Sequence, residues 1–266
     1  MSAGLVVRGL TVRYGGITAV EDVDLGVPAD SITGLIGPNG AGKSSLFNAC
    51  AGTVRASAGT VELFGRDISR IGPARRAQAG LGRTFQRVQL FRTLTVRENV
   101  ALGHETAYAR SRPWSLFHAL PSERRKTAAV TAEVLEHCGL TGIADKVAGG
   151  LSTGEQRMVE LARALASPAR MLLLDEPSSG LSSDERGRFT SILTEAVEAM
   201  GRGVFVVEHD MDLVAAVCQR VYVLNFGHVI FSGSMAEALR SDVVRQSYLG
   251  TTEAGASDTE LEVTGA

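Results

Sequence analysis

The chain has 266 residues, of which 44% are hydrophobic, and a formal net charge of −2; that is enough length and apolar content to bury a globular core. So small a charge excludes a field that would argue for nucleic acid, and no apolar run approaches the roughly 20 residues of a membrane span. The three cysteines, Cys50, Cys138 and Cys218, are too scattered for a disulfide framework or a metal pair, which fits a reducing, cytoplasmic setting.

In chain order, Leu5 to Val27 and Gly59 to Phe64 alternate polar and apolar residues as half-exposed antiparallel strands do, and predict a small β-layer. Between them the apolar run Ile32 to Ile36 leads into Gly37-Pro38-Asn39-Gly40-Ala41-Gly42-Lys43-Ser44, followed by Ser45 and a helical pattern. Strand, G-x-x-x-x-G-K-S and helix together form a phosphate-binding loop. Its glycines let backbone N–H groups turn toward phosphate, Lys43 reaches the β- and γ-phosphates, and the Ser44 hydroxyl suits Mg²⁺. Gln86, in "GRTFQRVQ" after a short possible strand, is a candidate for orienting water or Mg²⁺.

From about 95 to 165 helical patterns dominate, and they predict a helical subdomain inserted into an α/β core of about 1–94 and 166–250. Within it, "GGLSTGEQR" at 149–157 runs into Met158, Leu161, Ala162 and Leu165. Ser followed three residues later by Glu is a helix start, and a helix start presents free N–H groups to an anion. Further apolar runs at 170–174, 203–207 and 220–224 predict a parallel sheet covered by helices.

The run 170–174 ends in Asp175-Glu176-Pro177, at the kind of strand end where α/β folds place ligands. Neighbouring strand residues face opposite ways, so the two carboxylates divide the work: Asp175 for Mg²⁺, Glu176 for polarising the attacking water. Gly203 to Val207 ends similarly in Glu208-His209-Asp210, where His209 either packs structurally or touches a γ-phosphate. The last residues, 251–266, hold no basic residue and little apolar content, and predict a disordered acidic tail.

In order and spacing these motifs resemble the ATP-binding-cassette ATPases, a P-loop NTPase (RecA-like) family, over residues 5 to about 249. "LIGPNGAGKSSLFN", "RTFQRVQLFRTLTVRENV", "VVEHDMDLV" and "DVVRQSYLG" resemble in particular the ATP-binding subunits of LivG-type branched-chain amino-acid importers. The resemblance implies two cassettes packed head to tail, as homodimer or heterodimer. Each would sandwich MgATP between its own phosphate loop and its partner's signature loop, with Ser152 and Gly154 serving the partner's γ-phosphate. It also implies Tyr14 stacked on adenine, Val20 beside the sugar, and catalytic roles for Glu176, His209 and Gln86. The implied partners are integral-membrane permeases and, indirectly, a periplasmic-type solute-binding protein, with no nucleic acid. The chain would then sit peripherally on the inner face of the cell membrane. Relative to the family pattern, Thr153 stands for a Gly, Glu155 for a Gln and Ser182 for an Asp. Leu90 and Phe91, between Arg87 and Arg92, are expected in a loop that either joins the core or faces the permease.

Overall fold

The computed structural model describes residues 3–84, 89–109 and 120–254. Strands β1 (Ala3–Tyr14), β2 (Ile17–Pro28), β4 (Ala58–Leu63) and β5 (Arg66–Asp67) form an antiparallel sheet in the order β2-β1-β4-β5. The second sheet runs β10-β9-β3-β8-β7-β6. Its members are β3 (Ile32–Ile36), β6 (Leu81–Arg83), β7 (Met171–Asp175), β8 (Gly203–Val207), β9 (Arg220–Asn225) and β10 (His228–Gly233). These pair in parallel except for β10, which returns antiparallel along β9. The expected α/β parallel-sheet core with an antiparallel β-layer is what the chain forms.

The continuous apolar runs have a simple cause, since β3, β7 and β8 are buried along their whole length and covered on both faces. Alternate residues serve different layers. Leu172, Leu174, Val204 and Val206 join the cluster shared with the helical subdomain, while Met171, Leu173, Phe205 and Val207 pack toward the antiparallel sheet. Helix α1 (Lys43–Ala51) lies in this second layer, with Phe47 stacked 6.3 Å from Phe205. Helix α2 (Pro73–Gln78) supplies the buried Arg76, whose guanidinium donates to the Ala49 and Cys50 carbonyls at 2.7 Å each. It thereby adds a donor to carbonyls at the α1 C-terminus, of which that of Ala49 also accepts from the Gly52 N–H.

Helices α3 (Val96–Ala109), α4 (Pro121–His137) and α5 (Thr153–Ala166) lie in the chain between β6 and β7, in the stretch expected as an inserted helical subdomain. At Gly103 helix α3 comes so close to α5 that a Cβ would lie 2.1 Å from the Arg163 carbonyl oxygen. Helices α6 (Ser183–Met200) and α7 (Met211–Val217) follow β7 and β8, and α8 (Met235–Arg240) and α9 (Asp242–Ala254) close the described chain. Backbone helix therefore continues into the stretch expected as tail from 251, because the 242–254 segment carries its turns past the "YLG" ending; residues 255–266 lie outside the described residues.

Candidate functional site

The phosphate loop leaves the buried end of β3 and enters α1. Gly37 and Gly42 have φ of 150° and 102°, and both are pressed by backbone. A Cβ would stand 2.1 Å from the Leu224 carbonyl oxygen at Gly37 and 2.2 Å from that of Ala19 at Gly42, so no side chain fits. Lys43 is buried and its ammonium donates to the Gly37 and Pro38 carbonyls at 2.7 and 2.9 Å. Burial holds its pKa below the ordinary lysine value, with the Glu176 carboxylate pulling the other way. Asn39, Gly40 and Ser44 are exposed, Ser45 half-buried, and Pro38 and Ala41 buried.

Asp175 ends β7, buried, 3.8 Å from the Arg83 guanidinium. Burial raises its pKa, Arg83 lowers it and Glu176 raises it. No motif pointed to Arg83, which also donates to Asn48 and Thr53 at 2.8 and 3.1 Å and lies over the Phe47 ring. It ties Asp175 to α1. Glu176 leaves the strand with φ of +47°, so the divergence of the two carboxylates comes from a left-handed residue rather than from strand alternation. The Glu176 carboxylate meets His209 Nε2 at 3.0 Å; a carboxylate only accepts, so Nε2 carries the hydrogen. Two residues read separately from the sequence thus form one pair, because β7 and β8 are hydrogen-bonded neighbours.

Beneath that pair Glu208 is 2% exposed and works as a staple. Its carboxylate accepts from the Ser178 N–H at 2.8 Å and the His209 N–H at 3.0 Å, joining the loop after Glu176 to the loop after β8. Asp210 caps α7 and binds Arg186 at 2.6 Å.

The signature turn begins α5 with a complete capping box. Ser152 Oγ accepts from the Glu155 N–H at 3.1 Å, and the Glu155 carboxylate accepts from the Ser152 N–H at 2.8 Å. Glu155, the departure from the family pattern, therefore retains a defined structural task. The N–H groups of Thr153 and Gly154 come before any carbonyl a turn earlier and remain available to an anion. The turn packs on the loop after Glu176. The Thr153 methyl would touch a Cβ on Gly180 at 2.9 Å, Arg157 donates to the Ser179 carbonyl at 3.2 Å, and the Glu185 carboxylate fills the space a Cβ on Gly154 would need. Arg157 and Glu160 form a buried ion pair at 3.1 Å on the same helix.

Three further candidates divide. Tyr14 is 48% exposed at the end of β1, free to receive a ring. Val20, expected beside the sugar, is fully buried: the alternation of β2 turns it into the inter-sheet core and leaves its neighbour Ala19 half-buried. Gln86 lies outside the described residues. Leu90 packs against the helical-subdomain core, whereas Phe91 is 56% exposed. Phe91 lines an open groove of about 610 Å³ between the α/β core and the helical subdomain, together with Arg83, Gly103, Glu160 and Arg163.

For Mg²⁺ the donors present are hard oxygens, the exposed Ser44 hydroxyl and the Asp175 carboxylate, and they fit that ion. Among the described residues no cluster of three or more His, Cys, Asp or Glu could hold a metal by itself, so phosphate oxygens would have to complete the shell. A family profile described as ABC transporter matches residues 20–179. The high-affinity branched-chain amino acid transport ATP-binding protein LivG of Escherichia coli K12 is 35% identical over 252 residues, covering 92% of this chain and 97% of LivG. The lipopolysaccharide export system ATP-binding protein LptB of the same strain is 35% identical over 248 residues, covering 93% and 98%. The ADP-bound structure of MJ1267, an ATP-binding cassette of an ABC transporter, superposes with a TM-score of 0.80 at 30% identity, covering 94% of this chain and 100% of that one.

Proposed function

We propose that this chain, which belongs to the ABC transporter family and is a nucleotide-binding ATPase of a transporter, drives uptake of a small solute, branched-chain or related amino acids, by hydrolysing MgATP at a head-to-tail dimer interface. The observation that carries the catalytic half is the Glu176–His209 pair at 3.0 Å, two strands from a phosphate loop with a buried lysine.

In this reading Lys43 exchanges its bonds to the Gly37 and Pro38 carbonyls for phosphate oxygens, and the N–H groups of residues 40 to 45 hold the phosphates. Glu176 accepts a proton from the attacking water, and the His209 Nε2–H keeps that carboxylate aimed. Ser44 and Asp175 would hold Mg²⁺, which when bound neutralises charge on the β- and γ-phosphates. Ser152, with the Thr153 and Gly154 N–H groups, serves the nucleotide of a second cassette, and the Phe91 groove receives a short cytoplasmic segment of the permease. Among the described residues no helix is long and apolar enough to cross a membrane.

Ser152→Arg tests the shared site. Calorimetry on the isolated chain should give nearly unchanged MgATP affinity while ATP-driven dimerisation is lost, whereas Lys43→Ala should lose affinity outright. An affinity loss in Ser152→Arg as deep as in Lys43→Ala sinks the shared-site reading. Uptake of labelled leucine, isoleucine or valine into vesicles carrying the chain with its permease tests the cargo. A second cargo reading, a lipid or lipopolysaccharide precursor, is favoured by the equal identity to LptB, and failure of amino-acid uptake in an assembled complex would move the assignment there.

A further inference from the structure

The turn between β9 and β10 carries Phe226, at 82% the most exposed large apolar side chain among the described residues. Its φ is +43°, a left-handed conformation that glycine or asparagine would adopt more easily. Held there, the ring is neither packed in the core nor free to wander with its backbone. The Gly227 N–H donates to the Ala41 carbonyl of the phosphate loop at 2.9 Å, and the Gly227 carbonyl accepts from the Glu21 N–H of β2 at 3.0 Å. The carbonyl of Leu224, two residues before Phe226, is the oxygen that abuts Gly37.

The turn also lies at the right edge of the sheet. It follows the carboxyl end of β9, the edge at which β3, β7 and β8 deliver the phosphate loop, Asp175 and His209, and where ligands of parallel sheets bind. In the order β9-β3-β8-β7 it stands on the side of the phosphate loop away from His209 and Glu176. A nucleotide whose γ-phosphate points to that pair extends its base away from them. On this side the exposed apolar groups are Tyr14 and Ile17, cross-strand partners at the β1–β2 turn, and Phe226, whose Gly227 packs on the Ala19 carbonyl.

We propose that Phe226 forms a wall of the base site, so that the purine of the nucleotide held by the phosphate loop lies between the Tyr14 and Phe226 rings. The proposal rests on the nucleotide-site reading above and adds a residue to it. The positive φ is then the cost of aiming an aromatic ring beside the phosphate loop, and the backbone bonds of Gly227 offset it.

The test compares MgATP with magnesium tripolyphosphate, which has the phosphates and no base, by calorimetry on the full chain. Phe226→Ala should weaken MgATP binding roughly 5- to 50-fold, the weight of one base–aromatic contact, and leave tripolyphosphate binding unchanged. Phe226→Tyr should restore MgATP. Phe226→Gly suits the left-handed backbone, so it keeps the fold and should repeat the alanine result. Unchanged MgATP affinity overturns the proposal. An equal loss for both probes overturns it in favour of a turn that merely braces the phosphate loop, and loss of ATP-driven dimerisation with intact nucleotide affinity assigns the ring to a second copy instead. Lys43→Ala, run in parallel, must lose both probes; its retention of them would refute the nucleotide site rather than the role of Phe226.

Discussion

Replacing Glu208 by Gln keeps the shape of a nearly inaccessible side chain and changes one oxygen into an amide donor. In the native protein both oxygens face backbone N–H groups, Ser178 at 2.8 Å on one side and His209 at 3.0 Å on the other. The amide NH₂ must confront one of them, so one charge-assisted bond is lost and a buried N–H is left without an acceptor. Loss of such a bond amounts to about 2 to 3 kcal/mol, which for a chain of this size lowers Tm by roughly 5 to 10 °C. The same change releases one wall of the Glu176–His209 site, and misplacement of that pair by a fraction of an ångström should cut turnover roughly 10- to 100-fold. Scanning calorimetry and steady-state ATPase assays on the purified variant read both effects. Native Tm refutes the staple, and native turnover with a lowered Tm refutes its hold on the catalytic pair.

Glu176→Gln should keep MgATP binding, lose roughly 10²- to 10⁴-fold in turnover and accumulate an ATP-bound dimer in size-exclusion chromatography; near-normal turnover with the permease removes Glu176 from catalysis. Phe91→Asp should abolish co-purification with the permease and transport, while the free cassette binds MgATP and melts normally, because the ring is already solvated; continued assembly rules out the groove as docking site. Asp210 has its pKa lowered first by the Leu213 N–H, burial opposing this, and then by Arg186. Its stabilisation is therefore present above the unfolded carboxylate value near about 4 and is lost as pH falls through the lower folded value. The stability gap between wild type and Asp210→Asn should be constant at neutral pH and close in that acid window, and a gap independent of pH in urea titrations contradicts the assignment.

What could be read from the sequence was what chemistry writes locally. The phosphate loop is specified by glycines within one turn of chain, and Glu176 and His209 by polar residues that end apolar runs. Their pairing could not be read, because it depends on which strands are neighbours. Arg83 was invisible for the same reason, since its contacts to Asn48, Thr53 and Asp175 are made by folding. The full burial of Val20 could not be read, because a single step along β2 exchanges core for surface. The β9–β10 hairpin went unread because β10 is only half-buried and offers no continuous apolar run; with it went Phe226.

The short loop 178–181 is gripped from two bodies. Glu208 holds Ser178 to the α/β core, while Thr153 and Arg157 of the helical subdomain bear on Gly180 and Ser179. Any shift of α5 relative to the sheet would therefore pull on one end of this loop while Glu208 holds the other, just beyond Glu176. The arrangement would act as a clutch: load applied to α5 would reach the backbone beside Glu176 through this loop, and with that load relieved Glu208 alone would hold it.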